Sequence, residues 1–533
     1  MTSEQHPVDI SRITTFAEIS RCHALARPDA IALSFEGRET SFAQFELNSN
    51  RVANALVEAG ISPGERVAYL GKNCDRFFEI LFGATKAGAV TVPIGWRLAP
   101  AEVAGILEDC GARLVFVGPD ASLQAEETLA RLPDRPMVIA IDDATVNDAT
   151  PFDVWREAAS AEAPAIESHP DDVALQAYTA GTTGLPKGVM LTHANLLTKQ
   201  RDADASRMDW RRWTPDDVSL VAMPVAHVGG SIWGIMGLLY GAKDVIAREF
   251  DPLAVLDFIE RDRVSKVFMV PSALQIVVRH PRCREVDFGR LKHILYGASP
   301  IPVDLLRECM EVFGCGFCQQ YGMTETSGTI VYLPPEDHDP NGNARMRSAG
   351  LPMPGVELKI VDAQGATLPP HAVGEVMTRS SGNMAGYWDR PEATAATVDS
   401  EGWLRTGDAG YLDEDGYLYI HDRVKDMIIS GAENIYPAEV ENAIYGHPGV
   451  AEVAVIGVPD EKWGEAVKAV VVLKQGASAD VSDILSFARS RIAAFKVPKS
   501  VDFVDALPRN AAGKVLRRQL QEPYWAGRER RVN

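Results

Sequence analysis

Most of the chain repeats one pattern: a short apolar run, a polar or glycine break, then a stretch with apolar residues three and four apart. Arg66–Leu70, Ala89–Pro93, Leu114–Val117, Met137–Ile141 and Val173–Tyr178 are apolar runs of strand length. Helical patterns separate them. Ser41 offers an N-cap for a helix running to Ala59 and stopped by Gly60, and Asn73 offers one for a helix ending near Gly88. Lys266–Val270, His293–Tyr296 and Gly316–Gln320 predict further buried strands, each ending in a loop of small or polar residues. The last of these loops is Tyr321-Gly-Met-Thr-Glu325. Strands alternating with helices imply βαβ units and a mainly parallel sheet, and such sheets bind ligands at the carboxyl ends of their strands.

From about Gly350 the texture changes. Glu357–Val361 and Gly374–Thr378 flank a turn at Gly365 and predict a small antiparallel sheet. A helix over Pro437–Tyr445, strands over Val450–Val458 and Val467–Leu473, and a helix over Ser482–Arg491 read as a separate α+β unit. The join falls at Asp422-Arg-Val-Lys-Asp426.

Composition narrows this picture. With 533 residues there is room for two or more domains. A formal net charge of -20 disfavours a nucleic-acid partner, because that binding runs on basic surface. The seven cysteines are odd in number and scattered, which suits free thiols in a reducing compartment. Cys315-Gly-Phe-Cys318 has CxxC spacing but no second ligand pair, so it reads as part of a buried strand. The N-terminus lacks a basic segment followed by an apolar core, so a cytoplasmic location is expected. Val218–Ala242 carries no formal charge, yet Pro224, His227 and five glycines interrupt it. It reads as interior beside a ligand pocket, not as a membrane span.

The candidate chemistry centres on Tyr178-Thr-Ala-Gly-Thr-Thr-Gly-Leu-Pro-Lys-Gly-Val189. Glycines let successive backbone N–H groups point at one anion, threonines add hydroxyl donors, and Lys187 adds a compact positive charge. This is a phosphate cradle, but not a Walker loop. Counted from Gly181, the last three positions of that pattern hold Pro186, Lys187 and Gly188, and two of the three disagree.

The cradle, Tyr321–Glu325, Arg405-Thr-Gly-Asp408 and Asn510-Ala-Ala-Gly-Lys514 occur in an order that strongly resembles the AMP-forming acyl-CoA synthetases, in the superfamily that includes luciferases and peptide-synthetase adenylation domains. The texture around Ile428-Ile-Ser-Gly-Ala-Glu-Asn-Ile-Tyr-Pro437 resembles the bacterial fatty-acyl-CoA synthetases, with aryl and phenylpropanoid ligases as neighbours. The resemblance implies an α/β fold. Its large N-terminal domain over 1–423 would hold mainly parallel sheets flanked by helices and a small antiparallel β sub-domain. A hinge over 424–426 and a small mobile α+β C-terminal domain over 427–533 would follow. It implies two steps: a carboxylate attacks the α-phosphate of ATP to give an acyl-adenylate and pyrophosphate, then the thiol of CoA displaces AMP.

The same resemblance distributes roles. Thr179, Ala180, Gly181, Thr182, Thr183, Gly184 and Lys187 would hold phosphates, Thr324 the α-phosphate, and Glu325 a Mg²⁺. Gly297, Ala298, Ser299, Pro300, Gln320, Tyr321 and Gly322 would flank adenine, with Asp408 and Arg423 on the ribose. Lys514 would bridge the substrate carboxylate and the α-phosphate, neutralising two anions that must collide. Lys425 matches the hinge position, and Gly431, Ala432 and Glu433 match the segment that lines the CoA tunnel. Trp463 resembles an aromatic that contacts CoA, though a core tryptophan would read the same way. Ala180 stands where most relatives have serine, and Ala432 where many have glycine.

The acyl pocket is expected along Pro224–Trp233, near Gly297 and along Gly322–Ile330. Its named residues are His227, Val228, Gly229, Gly230, Trp233, Met323 and Ile330. A satisfied core histidine is the other reading of His227. Gly229, Gly230, Ser231 and Gly234 suggest room, which favours a medium or long fatty chain or a bulky aryl acid. The basic and aromatic run Arg207-Met-Asp-Trp-Arg-Arg-Trp213 could touch a membrane surface, or turn its tryptophans inward. Expected partners are thus the acid, ATP and CoA, with peripheral membrane contact and a homodimer left open. A second class, an adenylating enzyme that loads a carrier protein, stays open beside the CoA ligase; nineteen residues follow Lys514, too few for a carrier domain.

Overall fold

A computed structural model describes residues 7–179, 186–206, 208–423, 426–430, 433–460, 462–509 and 515–526. Two large sheets dominate. One has eight strands, built around the parallel set Arg66–Gly71, Val90–Gly95, Leu114–Val117 and Met137–Ala140. The other has nine, built around the parallel run of Val218–Val221, Lys243–Ile246, Lys266–Met269, His293–Gly297 and Gly316–Met323.

The helices Phe42–Glu58 and Asp75–Lys86 pack into the main core that both sheets share. Every residue of Asp75–Lys86 is buried, and Phe77, Phe78 and Phe82 fill the space around it. A Cβ at Gly83 would stand 2.5 Å from Val52, so glycine there lets the two helices approach closely. Ser41 caps the first helix by accepting from the Gln44 amide at 3.2 Å. Asn73 does not cap the second. Its amide donates to the carbonyls of Met223 (3.1 Å) and Ala247 (2.9 Å) and accepts from Val225 N (2.8 Å). The side chain was spent on tying the two sheets together, which local sequence does not show.

Glu357–Val361, Gly374–Arg379, Leu404–Leu412 and Leu418–Arg423 form the expected antiparallel sheet. Beyond it, five strands between Ile428 and Phe503 carry the helices Pro437–Tyr445 and Val481–Arg489 around a separate core of Ile428, Ile444, Val455, Val471 and Ile484. This lobe meets the rest where Gln275 Nε2 donates to Tyr445 Oη (3.0 Å) and to the Ala451 carbonyl (3.1 Å). Among the described residues no helix is long and apolar enough to cross a membrane.

Candidate active site

The strand Val173–Thr179 does not lead into a βα turn. It folds back on Lys187–Thr192 as an antiparallel hairpin, with Thr179 opposite Lys187 and Tyr178 opposite Gly188. Ala180, Gly181, Thr182, Thr183 and Gly184 lie outside the described residues. The hairpin brings Lys187 back to the strand end. A Cβ on Gly188 would meet Gln176 Nε2 at 2.6 Å, so a larger residue at that point would displace the Gln176 amide.

A third strand, Gly386–Tyr387, pairs with Met190 and Val189 along the hairpin's free edge. It delivers Tyr387, which the sequence reading missed. Lys187 Nζ lies 4.8 Å from the Tyr387 ring centroid, and Tyr387 Oη donates to Glu325 Oε1 at 2.9 Å. One aromatic residue therefore stands between the cradle lysine and the candidate metal-binding carboxylate. Its only sequence signal was an aromatic pair, Tyr387-Trp388, in a polar stretch.

Tyr321, Gly322 and Met323, expected in a loop, instead extend the strand Gly316–Met323 and pair with Gly328–Leu333. The loop is only the 3-10 turn Thr324–Thr326, closed by Ser327 at φ +51°. Strand pairing makes this stretch stiffer than a free loop. Glu325 is 7% exposed, its carbonyl accepts from Met384 N (2.8 Å), and Thr326 Oγ1 donates to Gly328 O (2.7 Å). Thr324 is half-buried beside it.

Gly297 ends its strand against the carbonyl of Gln320, where any Cβ would collide, and Ala298 follows at φ +67°. Ala298 and Pro300 are exposed and Ser299 is half-buried. Gln320 Oε1 accepts from Thr329 Oγ1 at 2.8 Å. Tyr321 Oη donates to Asp408 Oδ2 at 2.7 Å, joining the adenine-flanking strand to the candidate ribose carboxylate. Arg423 is paired opposite Asp408 in the antiparallel sheet, with its side chain outside the described part. Lys425, Gly431, Ala432 and Lys514 lie outside the described residues, as does the Glu433 side chain. Trp463 is 40% exposed, with Lys462 Nζ over its ring at 4.5 Å, so it is not a core tryptophan.

His227 caps the start of the helix Val228–Leu239 through its backbone. Its Nε2 is buried without a hydrogen-bond partner, so it is not a satisfied core histidine. Burial, reinforced by the positive charge of Arg97, lowers its pKa. The glycines of this helix do not make room. A Cβ on Gly230 would run into the backbone carbonyls of Met223 and Pro224, and one on Gly234 into the Phe78 ring. Small residues here permit close packing, which corrects the inference of an open pocket. Val228, Gly229 and Met323 are half-buried, Trp233 is buried with Nε1 donating to Leu220 O (3.0 Å), and Ile330 is sealed in a core cluster with Met353 and Leu418.

A cavity of about 610 Å³ lies instead along Trp96, Arg97, Pro224, Phe250 and Ile276, and reaches Ala451, Glu452 and Arg509 of the second lobe. Of the expected acyl lining it includes Pro224. The two tryptophans of the basic aromatic run turn inward. Trp210 packs on Tyr332 (5.3 Å) and Trp213 stacks on Tyr240 (5.9 Å), which removes the aromatic anchors that a membrane surface would use. All seven cysteines are free, and among the described residues no cluster of His, Cys, Asp and Glu could cage a metal.

This geometry agrees with known proteins. The chain belongs to the AMP-binding enzyme family: residues 21–388 match the AMP-binding enzyme and residues 439–514 the AMP-binding enzyme C-terminal domain. It is 41% identical over 524 residues to the fatty acid–[acyl-carrier-protein] ligase ScoC of Streptomyces coeruleorubidus, covering 98% of this chain and 99% of the relative. It is 38% identical over 502 residues to a feruloyl-CoA synthase of an Amycolatopsis species, covering 93% of this chain and 96% of the relative. The crystal structure of ATP-bound MatB from Rhodopseudomonas palustris superposes with a TM-score of 0.86 at 31% identity, covering 96% and 99% of the two chains. The protein is an AMP-forming acid–thiol ligase of the acyl-CoA synthetase type.

Proposed function

We propose that the enzyme activates a medium- or long-chain fatty acid with ATP and passes the acyl group from its adenylate to CoA, releasing AMP and pyrophosphate. The convergence of Lys187, Tyr387 and Glu325 carries this reading, because it sets a cation and a carboxylate on one aromatic residue, with the cation opposite the strand end at Thr179. Lys187 neutralises phosphate charge as it builds. Glu325 would hold a Mg²⁺, a hard cation that takes few protein ligands and draws the rest from phosphates and water, which suits a lone carboxylate. When bound, that ion supplies further charge neutralisation. Tyr387 keeps the Glu325 carboxylate turned to one side. Asp408, steadied by Tyr321, accepts from the ribose hydroxyls, and the ATP-bound structural neighbour supports the use of ATP by this fold. Lys514 brings the two anions together, and a rotation about residues 424–426 opens the site to the thiol.

A carrier-protein thiol is the second reading, favoured by the identity to a fatty acid–[acyl-carrier-protein] ligase over almost the whole chain. An aryl acid is the alternative substrate, supported by the feruloyl-CoA synthase. Pyrophosphate release with fatty and cinnamic-type acids, with and without CoA, tests all three. Turnover that is indifferent to CoA but requires a carrier protein would select the second reading. The Lys514→Ala variant is expected to lose adenylate formation yet still make thioester from supplied acyl-adenylate; equal loss of both steps would remove the role given to Lys514.

A further inference from the structure

Lys199 beside the Thr324–Thr326 turn, and Arg211 near Lys199, are buried cations that no acid among the described residues meets. Lys199, on the helix His193–Ala205, is 3% exposed, and its Nζ donates to the carbonyls of Thr326 (2.9 Å) and Ser327 (2.7 Å). Arg211, at the end of the 3-10 turn Asp209–Arg211, is 6% exposed, and its Nε and Nη2 are buried with no acceptor. Among the described residues no carboxylate lies within ion-pair distance of either. The carbonyls on either side of Arg211, those of Trp210 and Arg212, already accept from the buried Lys266 at 3.4 and 2.6 Å. Two further polar atoms on the same segments, Gln200 Oε1 and Ser327 Oγ, are also buried without partners. A buried polar atom left unpaired is rare in a native fold, and a buried unpaired charge rarer still.

These groups abut the segment expected to line the acid. Ser327 and Gly328 carry the chain from Glu325 into the strand Gly328–Leu333. A Cβ at Gly328 would lie 3.8 Å from Ile232, on the helix that His227 begins.

We propose that the acid activated by this enzyme carries a second carboxylate at its far end, and that Lys199 and Arg211 receive it. The inference rests on the acid-ligase reading and deepens it. Nε and Nη2 form one edge of the guanidinium, and that edge matches the two oxygens of a carboxylate. An unsubstituted alkyl chain would leave both cations unmet. Burial, reinforced by Arg211, holds the Lys199 amine down to about 7, so an incoming carboxylate would also draw a proton onto it.

The test is pyrophosphate release by the full-length enzyme with length-matched pairs: hexanoate and adipate, octanoate and suberate, decanoate and sebacate. The diacid of at least one pair is expected to exceed its monoacid at least tenfold in kcat/KM. In Arg211→Met that preference should reverse, through the KM for the acid and with the KM for ATP unchanged. If the wild-type enzyme prefers the monoacid in every pair, the inference is overturned while the ligase reading stands. Equal loss for both members of a pair in Arg211→Met also overturns it. Absence of release with these acids, with C12 to C18 fatty acids and with cinnamic-type acids removes the proposed fatty- or aryl-acid reading, and this inference with it.

Discussion

Buried charge is handled in two opposite ways in this molecule. Around the helix Asp75–Lys86, each buried cation meets a buried or half-buried acid. Glu79 is fully buried and accepts from Asn48 (2.8 Å), Arg76 (3.0 Å) and Arg156 (2.7 Å). Lys86 Nζ donates to Glu46 (2.6 Å), Ser49 (2.8 Å) and Asn50 (2.8 Å). Asp75 receives Arg38 through two bonds. One Nε each on Arg76 and Arg156 stays unpaired, but both guanidinium groups have a carboxylate. Around the helix His193–Ala205, Lys199 donates to carbonyls and, among the described residues, two of the Arg211 nitrogens have no acceptor. The first set closes on itself and holds the two sheets in place. The second is incomplete within the fold, which is what a binding site needs before its ligand arrives.

Substitutions should separate the two sets. Glu79→Ala leaves two arginines buried without their acid and is expected to cost about 3–5 kcal/mol in urea unfolding. Arg211→Met removes a charge that no acid among the described residues compensates, so stability should stay within about 1 kcal/mol of wild type or rise. Comparable losses in the two variants would erase the distinction.

A third kind of buried group sharpens it. His193 is buried and accepts from Phe16 N at 3.2 Å, and burial lowers its pKa to about 4. Its folded-state pKa lies below the unfolded value, so the unfolded chain binds the proton more readily between the two. The stability it contributes is complete above about pH 6.5 and is lost as pH falls toward 4, by roughly 3 kcal/mol. Denaturant midpoints measured across that window should show the fall, and His193→Gln should make it shallower, the part due to His293 and His338, also lowered to about 4 by burial, remaining.

A small effect is expected at the site itself. Tyr387→Phe keeps the ring beside Lys187 and removes one hydrogen bond to Glu325, worth about 1 kcal/mol. Adenylation should slow about fivefold, with a higher Mg²⁺ requirement and little change in melting temperature. An unchanged Mg²⁺ dependence would show that Tyr387 does not orient Glu325.

Much of this was legible along the chain. Strands such as Leu114–Val117 and the helix Pro437–Tyr445 came out at their predicted bounds, because uninterrupted apolar runs and a proline at a helix start are local signals. The glycines of Val228–Leu239 misled for a related reason. A missing side chain says that something comes close, not whether it is a ligand or the Phe78 ring.

What sequence alone determined was the order of elements and the motifs, since backbone propensity and spacing are properties of neighbouring residues. Tertiary structure decided what each side chain faces. It turned Asn73 from a helix cap into a bridge between sheets, and it put Tyr387 between residues 187 and 325. It also set Lys199 beside Ser327, 128 positions along the chain. Whether a buried charge is answered depends on partners far away in sequence, and no local pattern encodes that.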